Sequence, residues 1–173
     1  MTNALQERVF VEANREYPQT TFLCVRYGNV IASRGSIVPL FAEQVRKKQP
    51  LTVTLPEMTR FLLSLERAVD TVLAVVKDGL PGETFVPVVP SAKIVDVAKA
   101  MMKDEDLPIV FTGIRPGEKI HEIMVSEEEC FRTRRVGDYY AIQPMLPELR
   151  ATLSDDGISA EYSSKDDNLS VSE

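Results

Sequence analysis

Four short segments of the chain place an arginine or an amide beside a strand end or a glycine-containing loop. They are "RYGNV" (26–30), "SRGS" (33–36), "MTRF" (58–61) and "RPGEK" (115–119). In the last segment, the planar guanidinium of an arginine can meet phosphate oxygens. The glutamate three residues later can accept hydrogen bonds from a pair of sugar hydroxyls. Together these two side chains indicate a binding site for a nucleoside diphosphate.

The same residues also admit purely structural roles. Arg60 and Arg115 could each pair with a surface carboxylate, because such ion pairs are common and weak. Gly28 and Asn29 could be turn residues and nothing more. His121 is the only histidine, and it is expected to be a structural group, since no cluster of cysteine, histidine and carboxylate at ligand spacing indicates a metal site. Taken one at a time, the segments do not decide between binding and structure.

Helical and strand patterns alternate around these segments, which predicts an α/β fold. A helical pattern runs from the first residues to just before Pro18, and "TTFLCVR" (20–26) is typical of a strand that is covered on both faces, as in a parallel sheet. Ligands of open α/β sheets sit at the carboxyl ends of the strands. Tyr27 and Asn29 follow the first strand at that edge, and "RPGEK" follows a second strand, predicted over 108–113, in the same way.

Further elements are indicated by periodicity and capping signals. Ser91 is placed to cap a helix over 92–103, and "SEEE" (126–129) fits a capping box. Residues 138–144 alternate like an exposed strand. The remaining predicted elements are helices over 37–48 and 66–79 and strands over 51–54 and 84–89.

Length, charge and cysteine content exclude several classes of protein. The 173 residues, of which 44% are hydrophobic, suit one ordinary domain. The net charge of −6 argues against a partner that is a nucleic acid or a membrane surface. Cys24 and Cys130 form no C-x-x-C pair, which is typical of thiols in a reducing compartment. No apolar run reaches the roughly 20 residues that a membrane span needs. A cytoplasmic protein is expected, whose partners are small molecules or proteins.

Three longer stretches resemble consecutive signatures of the UDP-N-acetylglucosamine 4,6-dehydratases of polysaccharide biosynthesis. They are "VRYGNVIASRGSIVPLF" (25–41), "MTRFLLSLERAVDTVL" (58–73) and "IVFTGIRPGEKIHEIMVSEEE" (109–129). The stretches "RPGEKIHE" and "YYAIQP" are particularly similar to the inverting branch of that family. These enzymes are extended short-chain dehydrogenases/reductases. The resemblance covers about residues 1–150. It implies an α/β fold made of the last strands and helices of a Rossmann-like parallel sheet plus a small substrate-binding lobe. The helices at 66–79 and 92–103 would belong to that lobe. The N-terminal cofactor-binding half would be absent.

The resemblance also implies roles for individual residues. Six of them would bind the substrate: Asn29, Arg34, Ser36, Arg60, Arg115 and Glu118. The arginines at 60 and 115 would hold the UDP diphosphate, and the glutamate would bind the uridine ribose. The asparagine would contact the sugar nucleotide, and the "SRGS" loop would line the substrate channel. Tyr27 would lie near the nicotinamide of the cofactor.

The cofactor site of this family is expected to be missing here. In these enzymes a bound NADP or NAD takes a hydride from the sugar C4, water leaves across C5 and C6, and the hydride returns to C6. The sequence has no G-x-G-x-x-G to cradle a pyrophosphate at a helix N-terminus. The catalytic lysine of the family aligns with Asn3, and its partner four residues earlier would precede Met1. We therefore expect no catalytic residue in this chain, and no NADP or NAD bound by this chain alone.

Two functions from different classes stay open. In the first, the chain is the UDP-sugar-binding portion of a dehydratase, which a longer chain or a separate N-terminal NAD(P)-binding half completes. In the second, it is a non-catalytic UDP-sugar-binding or interaction module left by a split gene. The corresponding part of a UDP-sugar epimerase is a further alternative. Residues 1–150 are expected to form the binding portion, and the acidic stretch 151–173, rich in Ser and Asp, a flexible tail. The open sheet edge predicts a homo-oligomer or a docked partner chain.

Overall fold

A computed structural model describes residues 2–31, 33, 35–150, 157–166 and 168–169. Its α-helices are α1 (Thr2–Glu16), α2 (Ile37–Arg46), α3 (Leu65–Asp78), α4 (Ile94–Met102) and α5 (Glu127–Cys130). Its strands are β1 (Cys24–Val25), β2 (Leu51–Val53), β3 (Thr59–Phe61), β4 (Thr84–Pro87), β5 (Ser91–Lys93), β6 (Ile109–Phe111), β7 (Ile123–Val125), β8 (Thr133–Val136), β9 (Tyr139–Ile142) and β10 (Tyr162–Ser163). In this part of the chain, no helix has the length and apolar character that crossing a membrane requires.

The chain divides into two compact units, each built from three separate stretches. Unit 1 comprises Met1–Tyr27, Glu66–Val88 and Met124–Tyr162. Unit 2 comprises Gly28–Leu65, Val89–Ile123 and Ser163–Glu173. The helix predicted over 66–79 lies in unit 1 and the one predicted over 92–103 in unit 2, so the expectation that both belong to one lobe is wrong. The first packs beside strands of a four-stranded sheet, whereas the second packs on the short strands of unit 2.

Unit 1 is organised around a four-stranded sheet with the strand order β1-β4-β9-β8. β1 runs parallel to β4, with Cys24 opposite Thr84, and β9 is antiparallel to both β4 and β8. Phe85 and Ala141 of the two central strands are fully buried and pack against Val75 of α3. The parallel pairing predicted from "TTFLCVR" is present, but the strand spans only Cys24–Val25, and both residues are half-buried rather than covered on both faces. The strand predicted over 138–144 is also present, but it is central rather than exposed: it is paired on both sides, Ala141 and Ile142 are buried, and Tyr139 and Tyr140 are half-buried.

A buried asparagine attaches α1 to the strand that follows it. The side chain of Asn14 donates to the carbonyl of Phe22 at 3.0 Å and accepts from the N–H of Phe22 at 2.9 Å. The apolar stripe of α1 lies elsewhere on the helix, and its members Leu5 and Val9 are 64% and 61% exposed. The periodicity therefore predicted the helix correctly, while the face that α1 buries within unit 1 is centred on a polar residue.

An ion cluster centred on Arg26 joins three parts of unit 1. Its guanidinium donates to both oxygens of Glu7, at 3.0 and 2.6 Å, and to both oxygens of Glu129, at 3.2 and 2.9 Å. It also donates to the carbonyl of Met124 at 2.7 Å. Glu129 belongs to the capping box of α5, where it pairs with Ser126 as the sequence predicts. The cluster thus connects α1, β1 and α5, and only about a quarter of the Arg26 side chain is exposed.

The acid stability of the protein should depend on Glu129. Burial raises the pKa of its carboxyl, but hydrogen bonds from Arg26 and from the Ser126 backbone outweigh burial and lower the pKa below its ordinary value of 4.5. Stabilisation from a lowered carboxyl pKa is present above the unfolded-state pKa and is lost as the pH falls through the folded-state pKa. We expect the free energy of unfolding, measured in urea, to fall as the pH is lowered below 4.5. Glu129→Gln should flatten that slope, and Glu128→Gln should not. Equal slopes for the two variants would contradict this role.

Unit 2 is built from two pairs of short strands and two helices. β2 and β6 are parallel, with Val53 opposite Phe111, whereas β3 and β5 are antiparallel, with Arg60 opposite Ala92. Its main apolar cluster is formed by side chains from α2, β2, α4 and the turn before β3. They are Phe41, Leu51, Val53, Met58, Ile94 and Ala98. This core holds the carboxyl ends of β2 and β6 side by side.

Two stretches of unit 2 differ from the sequence-based expectation. Ser91 does not cap a helix: it lies in β5 opposite Phe61, and α4 begins three residues later at Ile94. Within the stretch 151–173, Tyr162–Ser163 is a strand, and the side chain of Ser164 is fully buried. Long-range partners explain both differences, because β3 pairs with β5 and Ser164 donates its backbone N–H to Glu122 O at 2.8 Å. The domain boundary at residue 150 stays a prediction.

Candidate functional site

The "RPGEK" loop leaves the carboxyl end of the parallel pair in unit 2. After the paired strands, Thr112 N–H donates to Val53 O at 2.9 Å and Gly113 N–H donates to Thr54 O at 3.1 Å. Gly113 and Gly117 both have positive φ, at 79° and 82°. Glycine adopts this left-handed conformation at little cost, and other residues rarely do. The loop is therefore held at the strand ends where α/β sheets bind ligands.

The carboxylate of Glu118 fixes the loop from inside. One oxygen accepts from the hydroxyl of Thr54 at 3.2 Å, and the other accepts from the backbone N–H of Arg115 at 3.3 Å. A carboxylate has about four lone-pair sites, so both oxygens retain capacity to accept from ligand hydroxyls. Thr54 was not among the predicted site residues, because the strand was predicted over 51–54 and so included it, whereas the observed strand ends at Val53.

Arg60 holds the loop from the other side. Its guanidinium donates to the carbonyls of Ile120 at 3.0 Å and Lys119 at 2.8 Å, and to its neighbour Thr59 O at 2.7 Å. Its Nε also lies 3.6 Å from Glu122 Oε1. The side chain is only 14% exposed. These contacts make Arg60 a residue that positions the loop backbone.

Arg115 and Lys119 are the two cations of this loop, and the planar guanidinium of Arg115 is the one with several donors for a phosphate. Arg115 is exposed, and its guanidinium makes no hydrogen bond or ion pair with any residue that the structure describes. Its backbone N–H is held by Glu118, so the loop carries the charged side chain at a defined place. A guanidinium with all five N–H donors free is suited to an anion with several oxygens. The surface ion pair that the sequence left open for Arg115 is not formed within the described residues.

The other predicted substrate residues also lie in unit 2. Asn29 is exposed, and its carbonyl accepts from Leu63 N–H at 3.4 Å. Ser36 is the N-cap residue of α2, and its buried Oγ has no hydrogen-bond partner among the described residues. Arg34 lies outside the described residues. The structure joins Arg60 and Glu118 to one loop by hydrogen bonds, whereas Asn29 and Ser36 belong to the neighbouring segment of the same unit.

A buried hydroxyl network supports the loop from behind. Thr59 Oγ1 lies 2.8 Å from His121 Nδ1 and 2.7 Å from Ser164 Oγ, which in turn accepts from Glu122 N–H at 2.9 Å. Thr59 and Ser164 are both buried. His121 is thus a hydrogen-bonded structural group, as predicted from the sequence for the only histidine of the chain. Ser164 could not be predicted from sequence, because it comes from a distant part of the chain, within the stretch that was expected to be a flexible tail.

In unit 1, Tyr27 lies in the same concavity as Asn3. Gln6 and Cys24 also line this space, which has a volume of about 430 Å³. The predicted place of Tyr27 near a nicotinamide stays a prediction. Burial and then the nearby carboxylate of Glu7 raise the pKa of the Cys24 thiol. The thiol therefore stays protonated and is a poor nucleophile at neutral pH.

The residues of this concavity do not fit a complete NAD(P). A dinucleotide needs donors for its pyrophosphate, and the lining contains one cation, Arg26. That guanidinium is occupied by Glu7, Glu129 and a backbone carbonyl. Asn3 also offers an amide where the family has an ammonium group. The concavity could therefore form one wall beside a nicotinamide, and it lacks the groups that would bind the phosphates.

Comparison with known proteins places the chain in a family. The model of the family described as "Polysaccharide biosynthesis protein" matches residues 1–144. A UDP-glucose 4-epimerase of Rickettsia massiliae is 44% identical over 146 residues, which cover 82% of this chain and 43% of that protein. The structure of Pen from Bacillus thuringiensis matches 96% of this chain and 52% of its own, at 30% identity and a TM-score of 0.85. The chain thus spans about half the length of the proteins it matches.

The fold is shared more widely than the sequence. A dTDP-glucose 4,6-dehydratase from Bacillus anthracis, solved in complex with NAD, matches 63% of this chain and 38% of its own with a TM-score of 0.53 at 15% identity. The predicted membership of a polysaccharide biosynthesis family is confirmed, but a dehydratase in particular is not, since the relatives at about 44% identity bear the name of an epimerase. The chain belongs to the polysaccharide biosynthesis protein family, and its α/β fold is that of part of an extended short-chain dehydrogenase/reductase.

Proposed function

We propose that unit 2 binds the UDP moiety of a UDP-hexose, and that the chain is the UDP-sugar-binding portion of a nucleotide-sugar 4,6-dehydratase of the UDP-N-acetylglucosamine type. Its pathway would be the synthesis of a surface polysaccharide or another glycan. The observation that carries the proposal is the exposed, unpaired guanidinium of Arg115 on a loop that Glu118 and Arg60 hold in place. Because the loop is already held in place, binding of an anion to its cation does not cost the conformational entropy of ordering the loop.

Each residue of the site has a distinct part in this proposal. Arg115 pairs with the diphosphate, because a guanidinium can donate two parallel hydrogen bonds to phosphate oxygens. Glu118 accepts from the ribose hydroxyls with its remaining lone pairs. Arg60 keeps the loop backbone in place through Lys119 and Ile120. Asn29 and the Ser36 hydroxyl, with Arg34 beside them in sequence, are proposed to contact the sugar.

The hydride chemistry of such an enzyme would need groups that the described residues of unit 1 do not offer. NAD(P) would supply the hydride acceptor, and the concavity around Tyr27 lacks donors for its phosphates. The matched relatives are about twice as long as this chain or longer. We therefore propose that a longer chain or a separate NAD(P)-binding half completes the catalytic site. That half, a homo-oligomeric state and a cytoplasmic location stay predictions.

Two alternatives have specific support. The name of the Rickettsia relatives favours the corresponding part of a UDP-glucose 4-epimerase. Asn3, in place of the family's lysine, favours a UDP-sugar-binding module without catalytic activity. All three functions share the UDP site of unit 2, so binding of the nucleotide is tested before the reaction.

Calorimetric titration tests the proposed binding. We expect the chain to bind UDP-N-acetylglucosamine and UDP-glucose, to bind UMP more weakly because it lacks the second phosphate, and to show no heat of binding with NADP. A preference for UDP-N-acetylglucosamine over UDP-glucose would favour the dehydratase over the epimerase. Binding of NADP without binding of either UDP-sugar would contradict the proposal.

A further inference from the structure

Unit 1 contains a second cavity, which shares Glu7 and Arg26 with the concavity around Tyr27 but includes none of the residues assigned to the UDP-sugar. It has a volume of about 420 Å³, within the range of small-molecule sites. One wall is the α1 surface with Ala4, Glu7 and Val11. The opposite wall is the end of β9 and the segment that follows it, residues 142–146. Apolar atoms from both walls give the cavity a largely apolar surface.

A buried amide in this cavity lacks a partner. Gln143 lines the cavity and is 2% exposed, and its Oε1 accepts no hydrogen bond from any described residue. Its backbone is satisfied, since its N–H donates to Arg132 O at 2.9 Å and its carbonyl accepts from the Arg132 guanidinium. A buried polar atom without a partner costs free energy. The side-chain amide of Gln143 is therefore a polar group that a ligand in this cavity could satisfy.

The charges around the cavity leave one cation free. Arg26 is occupied by Glu7 and Glu129, and Arg132 also pairs with Glu129 at 3.2 Å. Arg8 lines the same cavity, is exposed, and makes no ion pair within the described part of the chain. An apolar space with one unpaired amide and one unpaired guanidinium has a defined complement: an apolar body with one hydrogen-bonding group and one anionic group.

We propose that this cavity binds a small carboxylate that has an apolar body and a hydroxyl group. The apolar body contacts Val11 and Ile142, the hydroxyl pairs with the Gln143 amide, and the carboxylate pairs with Arg8. A hydroxyl suits this amide because it can donate to the oxygen or accept from the nitrogen. The site lies wholly within unit 1 and is independent of the UDP site proposed for unit 2.

Three matched probes test this complement on the full chain labelled with ¹⁵N. They are 4-hydroxybenzoate, benzoate without the hydroxyl, and 4-hydroxybenzyl alcohol without the charge. We expect all three probes to cause saturable amide shifts in α1 and residues 142–146. The affinity should be highest for 4-hydroxybenzoate and lower for the other two probes. The absence of saturable shifts there, shifts confined to unit 2, or equal affinity for all three probes would overturn the proposal.

Two variants separate binding from folding. Arg8→Gln should weaken 4-hydroxybenzoate about five-fold, as expected for one exposed charge pair. Arg46→Gln, an exposed arginine of unit 2, should leave the affinity unchanged. Gln143→Leu should lower the affinity by a similar factor while the unfolding temperature stays equal or rises, because the unpaired buried atom is removed. Wild-type affinity in both Arg8→Gln and Gln143→Leu would overturn the assignment.

Discussion

Arg115→Ala is expected to weaken the binding of UDP-N-acetylglucosamine by about 10- to 100-fold, because hydrogen bonds to charged groups contribute roughly 1.5–3 kcal/mol each. The loop itself should persist in the variant, since Glu118 accepts from the backbone N–H of residue 115 and not from its side chain. The free energy of unfolding should therefore be unchanged. Calorimetric titration measures the affinity, and urea unfolding measures the stability.

The matched control for this prediction is Arg46→Ala in the same unit. Arg46 is an exposed arginine near the end of α2, so its loss changes the net charge equally without touching the loop. Arg115→Lys should fall between wild type and alanine, because an ammonium keeps the charge and loses the planar pair of donors. If the alanine variants at 115 and 46 bind UDP-N-acetylglucosamine with equal affinity, the diphosphate assignment is wrong.

Arg26→Met should lower the free energy of unfolding by about 3 kcal/mol, the lower end of the range for breaking a buried ion pair. The variant leaves the carboxylates of Glu7 and Glu129 facing each other without the cation that connects them. It also removes the donor to Met124 O. The lower end is appropriate because 26% of the Arg26 side chain is exposed. Urea unfolding of both proteins at pH 7 measures the difference.

Arg15→Met, in α1 of the same unit, is the matched control for Arg26→Met. Arg15 also contacts two carboxylates, Glu12 at 2.8 Å and Glu148 at 2.9 Å, but half of its side chain is exposed. Exposed ion pairs contribute about 0–1 kcal/mol each, so this variant should change stability little. If Arg26→Met lowers the free energy of unfolding no more than Arg15→Met does, the prediction that the buried Arg26 cluster stabilises the protein is wrong.

The local patterns of the sequence predicted the elements that carry the candidate site. The helix at 66–79 and the strands at 51–54 and 108–113 are present to within about two residues at each end, the accuracy expected of such boundaries. The capping box at Ser126 is confirmed in its hydrogen bonds. These features depend on residues within a few positions of one another, so their signals are complete within a short stretch of sequence.

Features that depend on distant partners could not be predicted in this way. Ser91 has the residue type of a helix cap, yet it pairs with Phe61 in a sheet. The strand at Tyr139 alternates in polarity, and its burial follows from pairing with both β4 and β8. Ser164 completes the network behind His121 from the far end of the chain. In each case a long-range contact overrides the local preference.

The position of bound UDP tests the central claim most directly. Amide shifts of the ¹⁵N-labelled chain, followed during titration with UDP, report which residues the nucleotide contacts. We predict saturable shifts at Thr54 and over residues 113–119 of unit 2, with those of residue 115 and its neighbours among the largest. No saturable shift in that loop, or shifts confined to unit 1, would contradict the assignment of this chain as a UDP-sugar-binding protein.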